Sequence, residues 1–170
     1  MKTNSVRFFN ETNMKSVCSN CELILAAWEI KNPSNVGHII RLGHNAGAKK
    51  VLFAGTRDSY RESKIKKTAG FSFNQQDWQI IENESFFANY RKKFELVVLE
   101  TCEDSISIFD VNLPEKSLIL AGNESHGLPE EIIRQNALKV HIPMAGGCKS
   151  LNVSHALSVA AFEWYRQHSG

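Results

Sequence analysis

The sequence predicts an α/β fold in which a mainly parallel sheet is flanked by helices. Five short runs of consecutive apolar residues recur along the chain, and such runs are typical of strands buried on both faces of a parallel sheet. Segments with helical spacing separate the runs, and this alternation indicates βα units. The length of 170 residues suits one domain. We therefore expect a single domain over residues 1–170, of which residues 1–20 are an N-terminal extension.

The elements follow from these patterns in chain order. The predicted strands are 23–28, 51–54, 96–99, 118–121 and 140–142. Between the first two strands lies a helix with an apolar stripe through Val36, Ile39 and Ile40, with Asn35 as its N-cap and Gly47 as its stop. Weaker helices are expected near 61–67, 85–93 and 129–135.

The last predicted helix, 153–167, has apolar residues on two sides. One stripe consists of Val153, Leu157, Ala160, Ala161 and Trp164. His155, Val159 and Phe162 lie on nearly the opposite side. A two-sided helix at a chain end is either sunk deep in the core or covered by a second subunit.

Composition narrows the class of protein. The sequence contains no run of 18 apolar residues, and its first residues lack the apolar region of a secretory signal. We therefore expect a soluble, cytoplasmic protein that does not span a membrane. The net charge of +2 is too small to indicate nucleic-acid binding by itself.

The cysteines and histidines do not predict a metal site. Cys18 and Cys21 form a Cys-x-x-Cys pair, but Cys102 and Cys148 stand alone, whereas a zinc ribbon needs a second close pair. The pair lies in a polar stretch rather than at a strand-to-helix junction, where redox motifs are usually found. We expect free thiols and no bound metal, with a zinc or redox role as the less favoured interpretation.

Three polar segments that contain glycine, 35–41, 121–128 and 142–154, make up the candidate site. Ligands of open α/β sheets bind beyond the carboxyl ends of strands, and these three segments follow predicted strands. Each segment also has an ordinary explanation: Asn35 as a helix cap, Arg41 as a solvated side chain, Glu124 as a loop carboxylate, and 150–152 as a capping turn. The sequence contains no complete P-loop, Gly-x-Gly-x-x-Gly fingerprint or Gly-x-Ser-x-Gly elbow.

Together the three segments resemble the three motifs of the SpoU (TrmH-like) RNA 2′-O-ribose methyltransferases of the SPOUT superfamily. The pattern Asn-x-Gly-x-x-x-Arg matches 35–41, Gly-Asn-Glu-x-x-Gly-Leu matches 122–128, and Ile-Pro-Met followed by Ser-Leu-Asn-Val-Ser matches 142–144 and 150–154. The resemblance covers about 22–167. Ser125-His126 departs from the family pattern, in which a Gly often follows the Glu, and Cys148-Lys149 is a second departure.

The resemblance implies a deep trefoil knot in the C-terminal part, which topology rules alone argue against. It also implies a homodimer through the C-terminal helix and a bound S-adenosylmethionine, whose product is S-adenosylhomocysteine. The residues that it assigns to the cofactor are Leu99, Thr101, Gly122, Ile142, Met144, Ser150 and Leu151. Arg41 is the expected catalytic residue, and Asn35, Glu124, Ser150 and Asn152 are expected to bind the RNA substrate.

The resemblance implies methylation of RNA, with tRNA favoured over ribosomal RNA because the chain has little room for an added RNA-binding domain. Two basic stretches could contact phosphates: Lys49, Lys50, Arg57, Arg61, Lys64, Lys66 and Lys67, and then Arg91, Lys92 and Lys93. Such runs are usually just solvated faces. A non-catalytic RNA-binding module and a nucleotide-binding oxidoreductase are the alternatives from other classes.

Overall fold

The computed structural model describes residues 4–12, 15–55, 61–83, 90, 92–134 and 138–170. The helices are α1 (Ser5–Glu11), α2 (Pro33–Ala46), α3 (Glu62–Ala69), α4 (Ser72–Gln75), α5 (Glu130–Arg134) and α6 (Val153–His168). The strands are β1 (Glu22–Trp28), β2 (Lys50–Ala54), β3 (Trp78–Ile81), β4 (Glu95–Leu99), β5 (Ile106–Ser107), β6 (Lys116–Ala121) and β7 (Leu138–His141).

The strands form one seven-stranded sheet with the order β3-β2-β1-β6-β4-β7-β5. Every pairing between these strands is parallel, which confirms the predicted fold class. The five predicted strands are present, and β6 and β7 each start two residues before their predicted starts at 118 and 140. The prediction missed β3 and β5, because β5 has two residues and the side chains of β3 are only half buried.

The start of α2 corrects the prediction for Asn35. Asn32 is the N-cap, with its side chain accepting from the Ser34 amide at 2.9 Å, and Pro33 follows in the first turn. Proline suits this position because its fixed φ matches a helix and its missing N–H is not needed there. The helix therefore begins before Asn35, and the Asn35 side chain is available for other contacts. The predicted stop at Gly47 is confirmed, since this residue has φ 69.

The other helices agree with the prediction wherever it falls on described residues. Segments 61–67 and 129–135 correspond to α3 and α5, while most of 85–93 lies outside the described residues. The predicted stripe of α6 is buried, with Trp164 1% exposed. Phe162 on the opposite side is 49% exposed, so α6 is not sunk in the core of the single chain.

Two apolar layers enclose the sheet. One face packs against α2, α3 and α6, and its core includes Phe53, Leu157 and Trp164. The other face is covered in part by α5 and the segment before it, through Leu128 and Ile132. Across the ranges given above, none of the helices has both the length and the apolar character needed to cross a membrane.

The segment that precedes β1 lies along the end of α6. The amide of Cys18 donates to the His168 carbonyl at 3.0 Å, and the Tyr165 hydroxyl donates to the Lys15 carbonyl at 2.7 Å. Cys18 and Cys21 form a disulfide, so the expectation of free thiols at these positions is wrong. A turn, in which the Cys21 amide donates to the Cys18 carbonyl at 3.0 Å, explains the pairing. It places the two Cα atoms 5.3 Å apart, within the usual range for a disulfide.

Candidate functional site

A cleft of about 260 Å³ lies at the carboxyl ends of three adjacent strands, β6, β4 and β7. The end of β4 forms its floor. The loop after β6 forms one wall, and the loop after β7 forms the other. Ligands of parallel α/β sheets bind at this edge because the loops that follow the strands converge there.

All seven residues assigned to a cofactor by resemblance line this cleft. Leu99 and Thr101 come from the floor, Gly122 comes from the loop after β6, and Ile142, Met144, Ser150 and Leu151 come from the loop after β7. The fold thus brings together segments that are far apart in the chain. The binding role of these residues stays a prediction.

The loop after β6 is held in shape by Asn123, which is 8% exposed. Its backbone N–H and carbonyl each bond to the backbone of Gly127 at 3.0 Å. Its side-chain oxygen accepts from the amide of Ser125 at 2.8 Å, and its Nδ2 donates to the carbonyl of Glu29 at 2.6 Å. Glu29 directly follows β1 and has a left-handed conformation with φ 46. Asn123 therefore ties the loop to the neighbouring strand.

The structure changes the reason for a glycine at position 122. On sequence grounds, the missing Cβ leaves room for an approaching adenosine. In the fold, a Cβ on Gly122 would instead lie 2.4 Å from the backbone carbon of Gly127 and 2.6 Å from the nitrogen of Leu128. The glycine is therefore needed so that the loop can close on itself.

Three of the four predicted substrate residues are joined by hydrogen bonds beside the cleft. Asn152 donates from Nδ2 to Oδ1 of Asn35 at 3.0 Å, and Asn35 donates from Nδ2 to Oε1 of Glu124 at 2.7 Å. Asn152 is also the N-cap of α6, since its Oδ1 accepts from the Ser154 amide at 2.9 Å and from the Ser154 hydroxyl at 2.7 Å. Asn152 therefore caps α6 and also lies beside the cleft, and its role in binding a substrate stays a prediction.

The other predicted site residues lie outside this chain of bonds. Ser150 lines the cleft, and its backbone and side-chain oxygens lie 3.6 and 3.8 Å from the sulfur of Cys148. Arg41 is exposed on the polar face of α2 with His38, as the helical pattern predicts. Arg41 is six positions after Asn35, which corresponds to a rise of about 9 Å along the helix axis. In the single chain Arg41 is not one of the residues around the cleft.

Sequence reasoning missed two charged residues of the cleft, Glu100 and Lys149. Glu100 directly follows the apolar run of β4, and a charge at that point is a signal that could have been used. Its Oε1 accepts from the Thr101 amide at 3.2 Å and its Oε2 from the Leu128 amide at 3.1 Å. Lys149 donates from Nζ to the Met144 carbonyl at 2.9 Å. In the sequence alone, Lys149 is recognisable only as part of a departure from the family pattern.

The described residues of the basic stretches lie in two kinds of place, on helix α3 and at the amino ends of strands β2 and β4. Arg61, Lys64 and Lys67 are exposed on α3, which follows β2 and packs against α2 at Gly37. Lys49 and Lys50 lie at the amino end of β2, where they pair with Glu22 and Asp77. Lys92 and Lys93 lie at the amino end of β4. Arg57 and Arg91 fall outside the described residues. Among the described residues, the α3 group packs directly against the helix that carries Arg41.

The described part of the chain contains no group of three or more His, Cys, Asp or Glu residues placed to hold a metal ion. Cys102, next to the floor of the cleft, is half buried, and burial raises the pKa of its thiol. A raised pKa keeps this thiol protonated at neutral pH, which does not suit a nucleophile.

The chain is similar to known RNA methyltransferases. The model of the SpoU rRNA Methylase family matches residues 22–162. The tRNA (guanosine(18)-2′-O)-methyltransferase TARBP1 of Mus musculus is 31% identical over 166 residues, which is 94% of this chain and 10% of that protein. The tRNA (cytidine(34)-2′-O)-methyltransferase of Methylovorus glucosotrophus is 32% identical over 142 residues, which is 80% of this chain and 89% of that protein.

A solved structure supports the same relationship. The AdoMet-bound rRNA methyltransferase from Sinorhizobium meliloti superposes with a TM-score of 0.78 and 25% identity, covering 88% of this chain and 57% of that chain. This chain thus spans a tenth of the mouse protein and little more than half of the Sinorhizobium chain. Because the family model covers most of its length, the chain belongs to the SpoU methylase family.

Proposed function

We propose that this protein is an S-adenosylmethionine-dependent RNA 2′-O-ribose methyltransferase. One observation carries the proposal: three motifs that are far apart in the sequence meet at one edge of the sheet. Residues of the second and third motifs line the cleft, and hydrogen bonds join Asn35 of the first motif to Glu124 and Asn152 of the other two. Membership of the SpoU family gives this arrangement its chemical meaning.

The chemistry of the cleft suits S-adenosylmethionine. Leu99, Ile142, Leu151, Val153 and Ala156 provide an apolar surface for the adenine ring. The charged lining residues are two carboxylates and one ammonium, Glu100, Glu124 and Lys149, whereas the cofactor carries two cationic centres and one carboxylate. The volume of about 260 Å³ is close to the lower end of typical ligand pockets. When bound, the cofactor supplies the activated methyl group.

The protein must position a weakly acidic ribose hydroxyl and help it lose its proton. We assign this positioning to Asn35, Glu124, Ser150 and Asn152. Arginine is effectively never deprotonated in proteins, so Arg41 is a poor general base. We propose that Arg41 holds an RNA phosphate beside the target ribose and stabilises the developing alkoxide. The proton then leaves through that phosphate or a water molecule.

We propose tRNA as the substrate, with ribosomal RNA as the alternative. The mouse and Methylovorus relatives act on tRNA, and the Sinorhizobium neighbour is an rRNA methyltransferase. The Methylovorus relative supports tRNA most directly, because this chain spans 89% of its length. The proposal includes a cytoplasmic location, where tRNA is available.

The proposal also includes a homodimer through α6. Phe162 is 49% exposed on the side of this helix that faces away from the core, and His155 on the same side is exposed. A second copy would cover this surface. Sedimentation of the wild type as a dimer and of Phe162→Glu as a monomer would support this interface. A wild-type protein that sediments as a monomer contradicts it.

Two further parts of the proposal concern the chain path. We propose one domain over residues 1–170 with 1–20 as an extension, because α1 has no buried residue, whereas α2, α3, α5 and α6 all contribute to the two apolar layers on the sheet. We also propose the trefoil knot of the SPOUT fold. The placement of β7 between β4 and β5 is compatible with it. A crystal structure that traces 138–168 without passing through a loop would overturn the knot.

Methyl transfer from radiolabelled S-adenosylmethionine tests the activity. Transcripts of tRNA and ribosomal RNA serve as separate substrates, and mapping of ribose methylation identifies the nucleotide. We expect label in tRNA at a ribose 2′-oxygen. Label in rRNA alone would favour the alternative substrate. Cofactor and RNA binding without any transfer would favour a non-catalytic module. Thermal stabilisation by NAD rather than S-adenosylhomocysteine would favour an oxidoreductase.

A further inference from the structure

The charged side chains that line the cleft have both signs. Glu100 extends from the end of β4 toward the loop after β6, where Glu124 also lies, and Lys149 belongs to the loop after β7. The strands β6 and β7 that lead into these two loops lie on either side of β4 in the sheet. The cleft therefore offers carboxylates and an ammonium group to one ligand.

The Glu100 carboxylate is held in a defined position. Each of its oxygens accepts one backbone N–H, from Thr101 at 3.2 Å and from Leu128 at 3.1 Å. Gly127 leaves room for it, since a Cβ there would lie 2.7 Å from Oε2 of Glu100. Hydrogen bonds to an ionised acceptor are stronger than those to a neutral acceptor. Glu100 thus presents a fixed negative charge to a ligand in the cleft.

The Lys149 ammonium belongs to the loop after β7. It donates to the carbonyl of Met144 at 2.9 Å, so this bond closes the loop after β7 on itself. A lysine ammonium has three N–H donors, so one bond to a carbonyl leaves donors for a ligand. Ser150, which follows directly in the chain, also lines the cleft.

We propose that Glu100 and Lys149 determine the specificity of the site for the amino-acid part of the cofactor. Glu100 attracts its ammonium group, and Lys149 pairs with its carboxylate. This inference rests on the proposed function, because S-adenosylmethionine is the ligand. Glu100 lies outside the three motif segments, and Lys149 lies in the third segment at a position that the family pattern does not match. The assignment therefore comes from the charges and contacts of this chain.

Calorimetric titration with ligands that differ in their charged groups tests the proposal. S-Adenosylmethionine has both groups and a sulfonium, decarboxylated S-adenosylmethionine lacks the carboxylate, and 5′-methylthioadenosine lacks the amino-acid part and the positive charge on sulfur. The variants are Lys149→Met, Glu100→Gln and the control Lys92→Met, whose residue is exposed at the opposite edge of the sheet. Affinity is read directly, independently of methyl transfer.

We expect Lys149→Met to weaken S-adenosylmethionine about tenfold and to leave decarboxylated S-adenosylmethionine unchanged. Glu100→Gln should weaken both of these ligands and leave 5′-methylthioadenosine unchanged. Lys92→Met should bind all three as the wild type does. The neutral ligand also reports on folding, because a damaged cleft loses affinity for it too.

The outcomes separate this inference from the proposed function. A wild type that binds no S-adenosylmethionine overturns the proposed function and this inference with it. A wild type that binds it, with Lys149→Met weakening the carboxylated and decarboxylated ligands equally, overturns only the role of Lys149. Equal weakening of all three ligands by Glu100→Gln overturns the role of Glu100, since it indicates a distorted loop.

Discussion

The side-chain amides of Asn35 and Asn152, 117 residues apart in the chain, are joined by a 3.0 Å hydrogen bond from Nδ2 of Asn152 to Oδ1 of Asn35. This bond connects the first turn of α2 to the start of α6. The other end of the Asn35 amide donates to Glu124, and the residue is 5% exposed. A buried amide with both ends bonded sets the relative positions of the two helices and the loop after β6.

Replacement of Asn35 is expected to affect both stability and activity. Asn35→Ala leaves Glu124 without this donor and Asn152 without this acceptor, so we expect a loss of about 1–3 kcal/mol in the free energy of unfolding. Asn35→Asp should lose more at neutral pH, because it places a second carboxylate against Glu124. Urea denaturation and single-turnover methylation measure both effects.

Asn45→Ala is the matched control for this pair, because Asn45 is exposed on the same helix. It should change the free energy of unfolding by less than about 0.5 kcal/mol. Equal stability of Asn35→Ala and Asn45→Ala would show that the bonds of Asn35 contribute nothing.

The loop after β6 should not tolerate a Cβ at position 122. Gly122→Ala places a methyl group against the backbone of Gly127 and Leu128, so the loop must shift, at a cost of about 1–3 kcal/mol. Gly146→Ala, in the loop after β7, meets no atom within 4 Å and serves as the control. We expect Gly122→Ala to weaken binding of S-adenosylhomocysteine in calorimetry and Gly146→Ala to leave it intact. The reverse order would contradict the loop-closure explanation.

Arg41 should be needed for the chemical step and not for folding. Its side chain is exposed, so Arg41→Ala and Arg41→Lys should keep the melting temperature of the wild type. Loss of alkoxide stabilisation should lower the single-turnover rate by about 100-fold or more for Arg41→Ala. Arg41→Lys should recover little, because lysine lacks the bidentate geometry of arginine. Near-normal rates in both variants with intact RNA binding would exclude a catalytic role.

Glu163 on α6 should make the protein sensitive to acid. It accepts from Arg166 through both carboxylate oxygens and from Gln167, and the Arg166 guanidinium holds the pKa of this carboxyl below its ordinary value. When the folded-state pKa lies below the unfolded value, the stabilisation is complete above the unfolded pKa and is lost as pH falls through the folded one.

The unperturbed pKa of glutamate is about 4.3. Below this pH the wild type should therefore lose more stability than Glu163→Gln does. At neutral pH, Glu163→Gln should melt at a lower temperature than the wild type. Glu130→Gln changes an exposed i,i+4 pair with Arg134 and is expected to have almost no effect. Parallel pH profiles for the wild type and Glu163→Gln would refute this role.

RNA affinity should depend on salt and on the α3 residues. If phosphate contacts dominate, raising the salt from about 50 to 200 mM should weaken binding at least tenfold. The double variant Lys64→Ser, Lys67→Ser should change the slope of log affinity against log salt concentration. The slope should become less steep by about one for each of these lysines that contacts a phosphate. Lys92→Ser with Lys93→Ser, at the opposite edge of the sheet, should leave it unchanged. Filter binding across salt concentrations measures both slopes, and a flat response counts against RNA as the substrate.

Sequence patterns predicted the five inner strands of the sheet, the long helices α2 and α6, and the polar segments that follow the strands. These features depend on local information, since consecutive apolar residues indicate strands buried on both faces and helical periodicity indicates a buried stripe. The resemblance of the three motifs then identified the residues that would carry chemistry.

The contacts that those residues make depend on how the folded chain brings distant segments together. Asn35 caps no helix because Asn32 and Pro33 start α2 earlier, and it bonds to Glu124 and Asn152 instead. Gly122 makes room for the backbone of its own loop, and Glu100 lies beside that loop. These relationships depend on the order β6-β4-β7 in the sheet, which local periodicity does not contain. Contacts between distant segments arise when the strands take their places, and only then do their side chains meet.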